Sequence, residues 1–334
     1  MFKNNDVFII AEIGGNHEGD FNKARELMHL AIDAGVDSVK FQVYSGDTLV
    51  NIKEDPDRVN HFNRFALSDK YYISLAKECI GLGVDFNASI WNVRQINLLD
   101  QYLSFYKVGS GDLTAYPLIK EIVKKKKPIV LSTGLSTIDE ISDTVKYICD
   151  LDKKYLERDM ISILQCTSMY PIPDKDTNLN VIRSLQEEFN YSIGYSDHTE
   201  GTMAAMLAVT LGAKIIEVHF TDNRKDKEFR DHKVSFTPDE IKSLKKEAKS
   251  INIFLGDGFK RPMQSEIKSG HMISFRRALY PAHDIVKGSK LKESDLIALS
   301  PMHGVAANNF ETIIGKVAKN DMSALSVLSP SYFE

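Results

Sequence analysis

The chain reads as a (β/α)8 barrel followed by a small, mostly β C-terminal domain. Three observations carry that expectation. Short β-branched runs ending in polar residues or glycine alternate with helical stretches, giving eight units in about 250 residues. The runs are nearly continuous in apolar residues, as parallel strands covered by helices should be. The alternation stops near Leu255, where the composition changes.

The strand candidates, in order, are Val7–Ile13, Ser38–Val43, Val84–Ile90, Phe105–Val108, Pro128–Ser132, Ile161–Gln165, Tyr191–Tyr195 and Ala213–Phe220. Between them the spacing predicts helices over Phe21–Ala34, Asp69–Leu82, Tyr116–Lys125, Ile138–Cys149, Asn180–Glu188 and Gly201–Leu211. In the first of these, Ala24, Leu27, Met28, Ala31 and Ile32 share one face, a helical period. Gly35 and Gly212 supply stop signals. A doubly wound open sheet is the competing architecture. It would usually carry a Gly-rich turn after the first strand, and Gly14-Gly15-Asn16-His17-Glu18-Gly19 is not GxGxxG. The expected domains are a barrel over 1–255, a polar linker over 256–270 and the small domain over 271–334. The last holds short segments, Arg277–Tyr280, Asp284-Ile285, Lys290-Leu291, Asp295–Leu299 and Ile314–Val317. Such a domain has a thin core and should lean on a barrel, its own or a partner's.

Composition excludes several classes. The 334 residues hold 42 Lys+Arg against 46 Asp+Glu, a net charge of −4, with no basic footprint for nucleic acid. No apolar run approaches the roughly 18 residues of a membrane helix. Met1–Asp6 is polar and Glu12 interrupts the apolar run behind it, which argues against a signal peptide. Cys79, Cys149 and Cys166 are too widely spaced for a disulfide framework or a CxxC pair. The expected setting is cytoplasmic and reduced.

In such a barrel the polar residues at strand C-terminal ends gather at one mouth. The first strand supplies Glu12, with Asn16 and His17 behind it; the second Lys40 and Gln42; the third Asn87 and Ser89. The fourth supplies Lys107, Ser110 and Asp112; the sixth Thr167, Ser168 and Tyr170; the seventh Ser196, Asp197 and His198. The eighth supplies Glu217 and His219. Lys40 and Lys107 lie inside apolar strands, where an unpaired charge is costly. Converging on one mouth beside hydroxyls, they suit an oxygen-rich anion; as ion pairs with Glu12 or Glu217 they would be structural. His198 and His219 close successive strands about 4.8 Å apart and could share a divalent metal with open positions. Singly, each would be a hydrogen-bonded neutral imidazole. Trp91 and the other aromatic residues read as core, and His29, His61, His271 and His283 as surface or packing residues.

The motifs are specific enough to name a family. They are Ala11-Glu12-Ile13-Gly14, Val39-Lys40-Phe41-Gln42, Tyr106-Lys107-Val108-Gly109-Ser110-Gly111, Cys166-Thr167-Ser168-Met169-Tyr170-Pro171, Gly194-Tyr195-Ser196-Asp197-His198 and Glu217-Val218-His219-Phe220. With them the chain resembles the sialic acid synthases, the phosphoenolpyruvate-dependent synthases of nonulosonic acids, and its C-terminal segment resembles their antifreeze-like (SAF) domain. The resemblance implies a transferase that condenses phosphoenolpyruvate with an open-chain N-acylated amino sugar. That acceptor would be N-acetylmannosamine or a 2,4-diacetamido-6-deoxyhexose. It implies a domain-swapped homodimer and a metal held by His198 and His219, Mn²⁺ first, with Mg²⁺ or Co²⁺ as alternatives. Lys40, Ser89, Lys107, Ser110, Ser168 and Ser196 would hold phosphoenolpyruvate. Gln42, Asp112, Tyr170 and Asp231 would face the sugar, and Glu12 stands at the family's acid/base position.

Four departures fall on the sugar side. Ser89-Ile90-Trp91 replaces a Ser-Pro-Phe ending, and Asp112 stands for a Glu. Phe229-Arg230-Asp231-His232-Lys233 replaces a Gly-Pro-Asp turn, and Ser300 stands before Pro301 where an Arg is expected. They point to an acceptor other than plain N-acetylmannosamine. Two other readings compete: a metal-dependent hydrolase using His198, His219 and Asp231, and a carbohydrate-binding or surface-polysaccharide protein with a degenerate site. The first leaves two strand-embedded lysines without a use; the second should have lost lysines or imidazoles, and this chain keeps all four.

Overall fold

The computed structural model describes residues 7–333, so the Met1–Asp6 reading lies outside the described residues. Eight parallel strands close into a barrel in chain order. They are β1 (Phe8–Gly14), β2 (Ser38–Val43), β3 (Asp85–Ile90), β4 (Tyr106–Val108), β5 (Ile129–Ser132), β6 (Ile161–Cys166), β7 (Ser192–Asp197) and β8 (Ile215–His219). Each lies within two residues of its expected limits.

Helix ends follow side-chain chemistry. Asp20 accepts hydrogen bonds from the Asn22 and Lys23 amides and caps Phe21–Ala34, and Gly35 ends that helix in the left-handed region. Its buried face is Ala24, Leu27, Met28, Ala31 and Ala34. Thr137 with Glu140 and Thr237 with Glu240 form capping boxes for Ile138–Leu151 and Pro238–Leu255. The helix Pro56–Phe65, which was not among the expected elements, is mostly polar and buries only Val59 and Phe65. Its apolar period is therefore faint, although Asp55 and Pro56 mark its start.

Two apolar layers hold the barrel. One packs strands against the surrounding helices. The other fills the lumen with Ile10, Phe105, Val130, Leu164 and Ile215. That plug closes the barrel below the C-terminal strand ends, so polar residues can collect only above it.

The chain divides into two compact units after Gly256. The second unit pairs β9 (Ala278–Pro281) with β10 (Leu296–Leu299) in antiparallel register. Isolated bridges join Ile285 to Met322, Lys290 to Val317 and Ala318 to Phe333. Its own core includes Leu279, Leu291, Val305 and Leu328. Residues 256–270 are not wholly irregular: Gln264–Lys268 forms a short helix, which a five-residue polar segment does not announce in sequence.

Candidate active site

Strand register decides which side chains meet. Glu12 lies opposite Lys40 across β1 and β2, and opposite His219 across β1 and β8. Ser89 lies opposite Gln42 on one side and Lys107 on the other, and Ser196 opposite Glu217. Residues paired in register project to the same face. The result is a cavity of about 430 Å³, the size of a small-metabolite site. Of the residues expected there, Glu12, Lys40, Gln42, Ser89, Lys107 and Ser110 line it, as do Asp112, Ser168, Tyr170, Ser196, His198 and His219. Asp231 stands behind that lining, with Oδ2 3.8 Å from His219 Nδ1.

The floor is a buried lattice of both charges. The Lys40 ammonium contacts the Glu12 carboxylate and lies 3.9 Å from Glu217 Oε2. Lys107 lies 3.4 Å from Glu217 Oε1. Lys40 donates to Ser89 Oγ at 3.2 Å, Lys107 to Ser132 Oγ at 2.6 Å, and Ser196 to Glu217 Oε1 at 3.0 Å. Each buried ammonium thus has a carboxylate, which offsets its desolvation. Burial, opposed by Glu217 and reinforced by Lys107, brings Lys40 down to about 8. Burial would raise Glu217, but Lys107 and Lys40 outweigh it and hold the carboxyl at about 2. The lysines are therefore both ion-paired and exposed to the cavity.

The imidazoles of His198 and His219 lie 5.3 Å apart, centroid to centroid. Burial lowers the pKa of both, and their mutual repulsion lowers that of His219 further, so each is neutral near pH 7. His198 Nδ1 sits 3.0 Å from the Thr167 carbonyl, which orients the ring. His219 Nδ1 is buried without a hydrogen-bond partner. Two neutral imidazoles, one with an unsatisfied nitrogen, are a donor set that fits a divalent ion with open positions. No group of three or more His, Cys, Asp or Glu among the described residues is placed to hold a metal ion, so the two imidazoles are the donors on offer.

The upper wall is aromatic and cationic. Trp91 Nε1 donates to Asp112 Oδ2 at 2.7 Å, and Tyr44 meets Trp91 and Phe62 edge-on. Trp91 is thus a wall residue and not core, a correction with a register cause: it follows β3 at the mouth, where side chains face the cavity. Arg58 also lines this wall. Arg230 lies over the Tyr170 ring at 4.8 Å, and its Nε donates to Asp231 Oδ1 at 3.1 Å.

Backbone close approaches shape the rim. Gly14, at φ +52, ends β1 beyond a register shift against β2. A Cβ on Gly134 would strike the hydroxyls of Ser168 and Ser110. Several expected mouth residues are braces instead. Asn16 donates to the Phe220 carbonyl and to Ser235 Oγ, and Ser235 donates to the Asp231 carbonyl, so Asn16 fixes the loop that carries Asp231. The buried His17 accepts from the Gly19 amide, Asn87 donates to the Phe105 carbonyl, and Asp197 accepts from the Thr199 amide and Tyr195 hydroxyl. Glu217, expected at the mouth as a counter-ion, also lines the cavity, and so do Ser132, Cys166, Arg58 and Arg230, which lie outside the expected set. Glu217 had a signal, a charge in an apolar strand; Arg58, on the mostly polar helix Pro56–Phe65, and Arg230, in the polar turn Arg230–Val234, had none.

A model of the NeuB family matches residues 27–260. The chain belongs to the NeuB family. A SAF domain model matches 276–334, so the family's barrel is followed by that domain here. An N,N'-diacetyllegionaminic acid synthase of Campylobacter jejuni is 34% identical over 328 residues, 93% of this chain and 96% of the relative. A synthase of the same name from Legionella pneumophila is 33% identical over 343 residues, 98% of this chain and 94% of the relative. Among solved structures, an N-acetylneuraminic acid (sialic acid) synthetase of Leptospira borgpetersenii matches with a TM-score of 0.73 and 31% identity. The match covers 80% of this chain and 92% of that one.

Proposed function

We propose that this NeuB-family chain is a nonulosonic acid synthase. It condenses phosphoenolpyruvate with an open-chain N-acylated amino sugar, releases phosphate and gives a nine-carbon 2-keto-3-deoxy acid. The observation that carries the reading is the Lys40–Glu217–Lys107 floor beneath paired neutral imidazoles in one cavity. The relatives' names support the reaction class, and the 2,4-diacetamido acceptor is preferred over N-acetylmannosamine because three of the departures, Trp91, Asp112 and the segment around Arg230, lie on or beside the upper wall.

Carbon 3 of phosphoenolpyruvate bonds to the aldehyde carbon, whose oxygen takes up a proton. Water adds at carbon 2 and gives up one proton; the carbon 2–oxygen bond to phosphate then breaks, and the new hydroxyl gives its proton to the departing phosphate as carbon 2 becomes a carbonyl. Lys40 and Lys107, with Ser89, Ser110, Ser168 and Ser196, hold the phosphate and carboxylate, supplying fixed positive charge and alignment. Glu12, in contact with Lys40, is the acid/base carboxylate at the reacting end. Gln42, Asp112, Tyr170 and Asp231 orient the polyol. His198 and His219 would hold a divalent ion, Mn²⁺ by preference, which polarises the aldehyde oxygen as a Lewis acid when bound.

The protein acts as a homodimer in the cytoplasm; its three buried free cysteines suit a reducing setting. Among the described residues no helix is long and apolar enough to cross a membrane. The test is a phosphate-release assay with phosphoenolpyruvate, Mn²⁺ and a panel of hexosamines that includes 2,4-diacetamido sugars. Phosphate release that depends on an acylated amino sugar is expected. Release with none of them would refute the reading.

A further inference from the structure

The Arg230 guanidinium is incompletely used by the protein. Its Nε is committed to Asp231 and its Cζ lies 4.8 Å from the centre of the Tyr170 ring, while its two terminal nitrogens have no hydrogen-bond partner among the described residues. The side chain lines the same cavity as the lysine floor, yet is 68% exposed against 2–4% for the lysines. It therefore stands at the mouth while the lysines stand at the bottom. The reacting aldehyde must descend to the floor, where phosphoenolpyruvate lies in the proposed reaction. The far part of the acceptor is then left at the height of Arg230. A guanidinium held by one stack and one carboxylate presents a pre-organised fork of donors, suited to a carbonyl oxygen.

Resting on the synthase reading above, we propose that Arg230 is a specificity-determining residue. It donates from its terminal nitrogens to the carbonyl oxygen of an acylamino group on the distal part of the acceptor, and so selects a 2,4-diacetamido sugar over a 2-acetamido one. Tyr170 and Asp231 hold the fork in place. The Asp231 loop is itself pinned through Ser235 and Asn16, so the donors are aimed before the sugar arrives.

Three enzymes decide it: the parent, Arg230→Gln and Arg230→Lys. Each is assayed for phosphate release with a 2,4-diacetamido-2,4,6-trideoxyhexose, with N-acetylmannosamine and with N-acetylmannosamine 6-phosphate. Trp91 is the chain's one tryptophan and lines the cavity, so its fluorescence gives acceptor affinity without turnover. Arg230→Gln should lower kcat/KM for the diacetamido sugar about 10- to 100-fold, mostly through KM, and leave the KM for phosphoenolpyruvate unchanged. The loss for N-acetylmannosamine should be under threefold, so the parent's preference collapses. Arg230→Lys keeps the charge without the fork and should recover only part of the loss. Equal losses for both neutral acceptors, a change in the phosphoenolpyruvate KM, or a loss confined to the 6-phosphate would each overturn the assignment. A parent that turns over N-acetylmannosamine but shows no preference for the diacetamido sugar would also overturn it, while leaving the synthase reading intact. A parent that releases phosphate with no acceptor refutes that reading instead.

Discussion

Lys107→Met separates a lysine that serves the substrate from one that serves only the fold. Lys107 Nζ lies 3.4 Å from Glu217 Oε1 and 2.6 Å from Ser132 Oγ, with both charged side chains buried. Breaking a buried pair typically costs about 3–5 kcal/mol, and because Glu217 keeps Lys40 at 3.9 Å and the Ser196 hydroxyl at 3.0 Å, that is the upper limit here. With an unfolding entropy of about 2.1 cal/mol/K per residue, a barrel of about 250 residues should unfold lower by up to roughly 6–10 °C. Loss of one charge-assisted contact to phosphoenolpyruvate adds an independent loss of about 1.5–3 kcal/mol, or 10- to 150-fold in affinity. The two effects part in the double variant Lys107→Met/Glu217→Gln. There no charge is stranded, because Lys40 keeps its contact with Glu12, and most of the thermal loss should return. The affinity loss should remain. Thermal unfolding and equilibrium binding of phosphoenolpyruvate, measured on parent, single and double variants, read both quantities. A double variant that binds phosphoenolpyruvate as tightly as the parent would show that the pair only holds the barrel together, and the anion-site reasoning would fail.

Three further outcomes are expected alongside the Arg230 series. Chelation should silence the parent and Mn²⁺ restore it, while His198→Ala/His219→Ala should be inactive with or without metal; full, chelator-insensitive activity in that variant would remove the metal from the account. Trp91→Phe loses the 2.7 Å hydrogen bond to Asp112, and the acceptor KM should rise about 5- to 10-fold with the phosphoenolpyruvate KM unmoved. Steady-state kinetics with either substrate varied would expose a different pattern. Sedimentation velocity at micromolar concentration should give a dimer, and a fully active monomer would contradict the homodimer.

The barrel was legible from the residues in order, because a parallel strand covered on both faces must be apolar along its length and a helix must repeat every 3.6 residues. The strand-embedded lysines were legible for the same reason. A charge in an apolar run is costly, so it has to meet a partner or a ligand. The histidines were legible as a pair because successive strands of a barrel are neighbours. Local pattern does not carry what closure and loop packing bring together. β8 meets β1 only when the barrel closes, and that contact sets Glu217 among both lysines and His219 beside Glu12. Asn16, read from sequence as a mouth residue, reaches across about 200 positions to Phe220 and Ser235 and becomes a brace. Trp91 became a wall residue by pairing with Asp112, and Arg230 a cavity residue by lying over Tyr170. Periodicity tells which residues must be covered. Which polar groups satisfy one another and which stay open to a ligand depends on distances between segments remote in the chain, and only the closed barrel sets those.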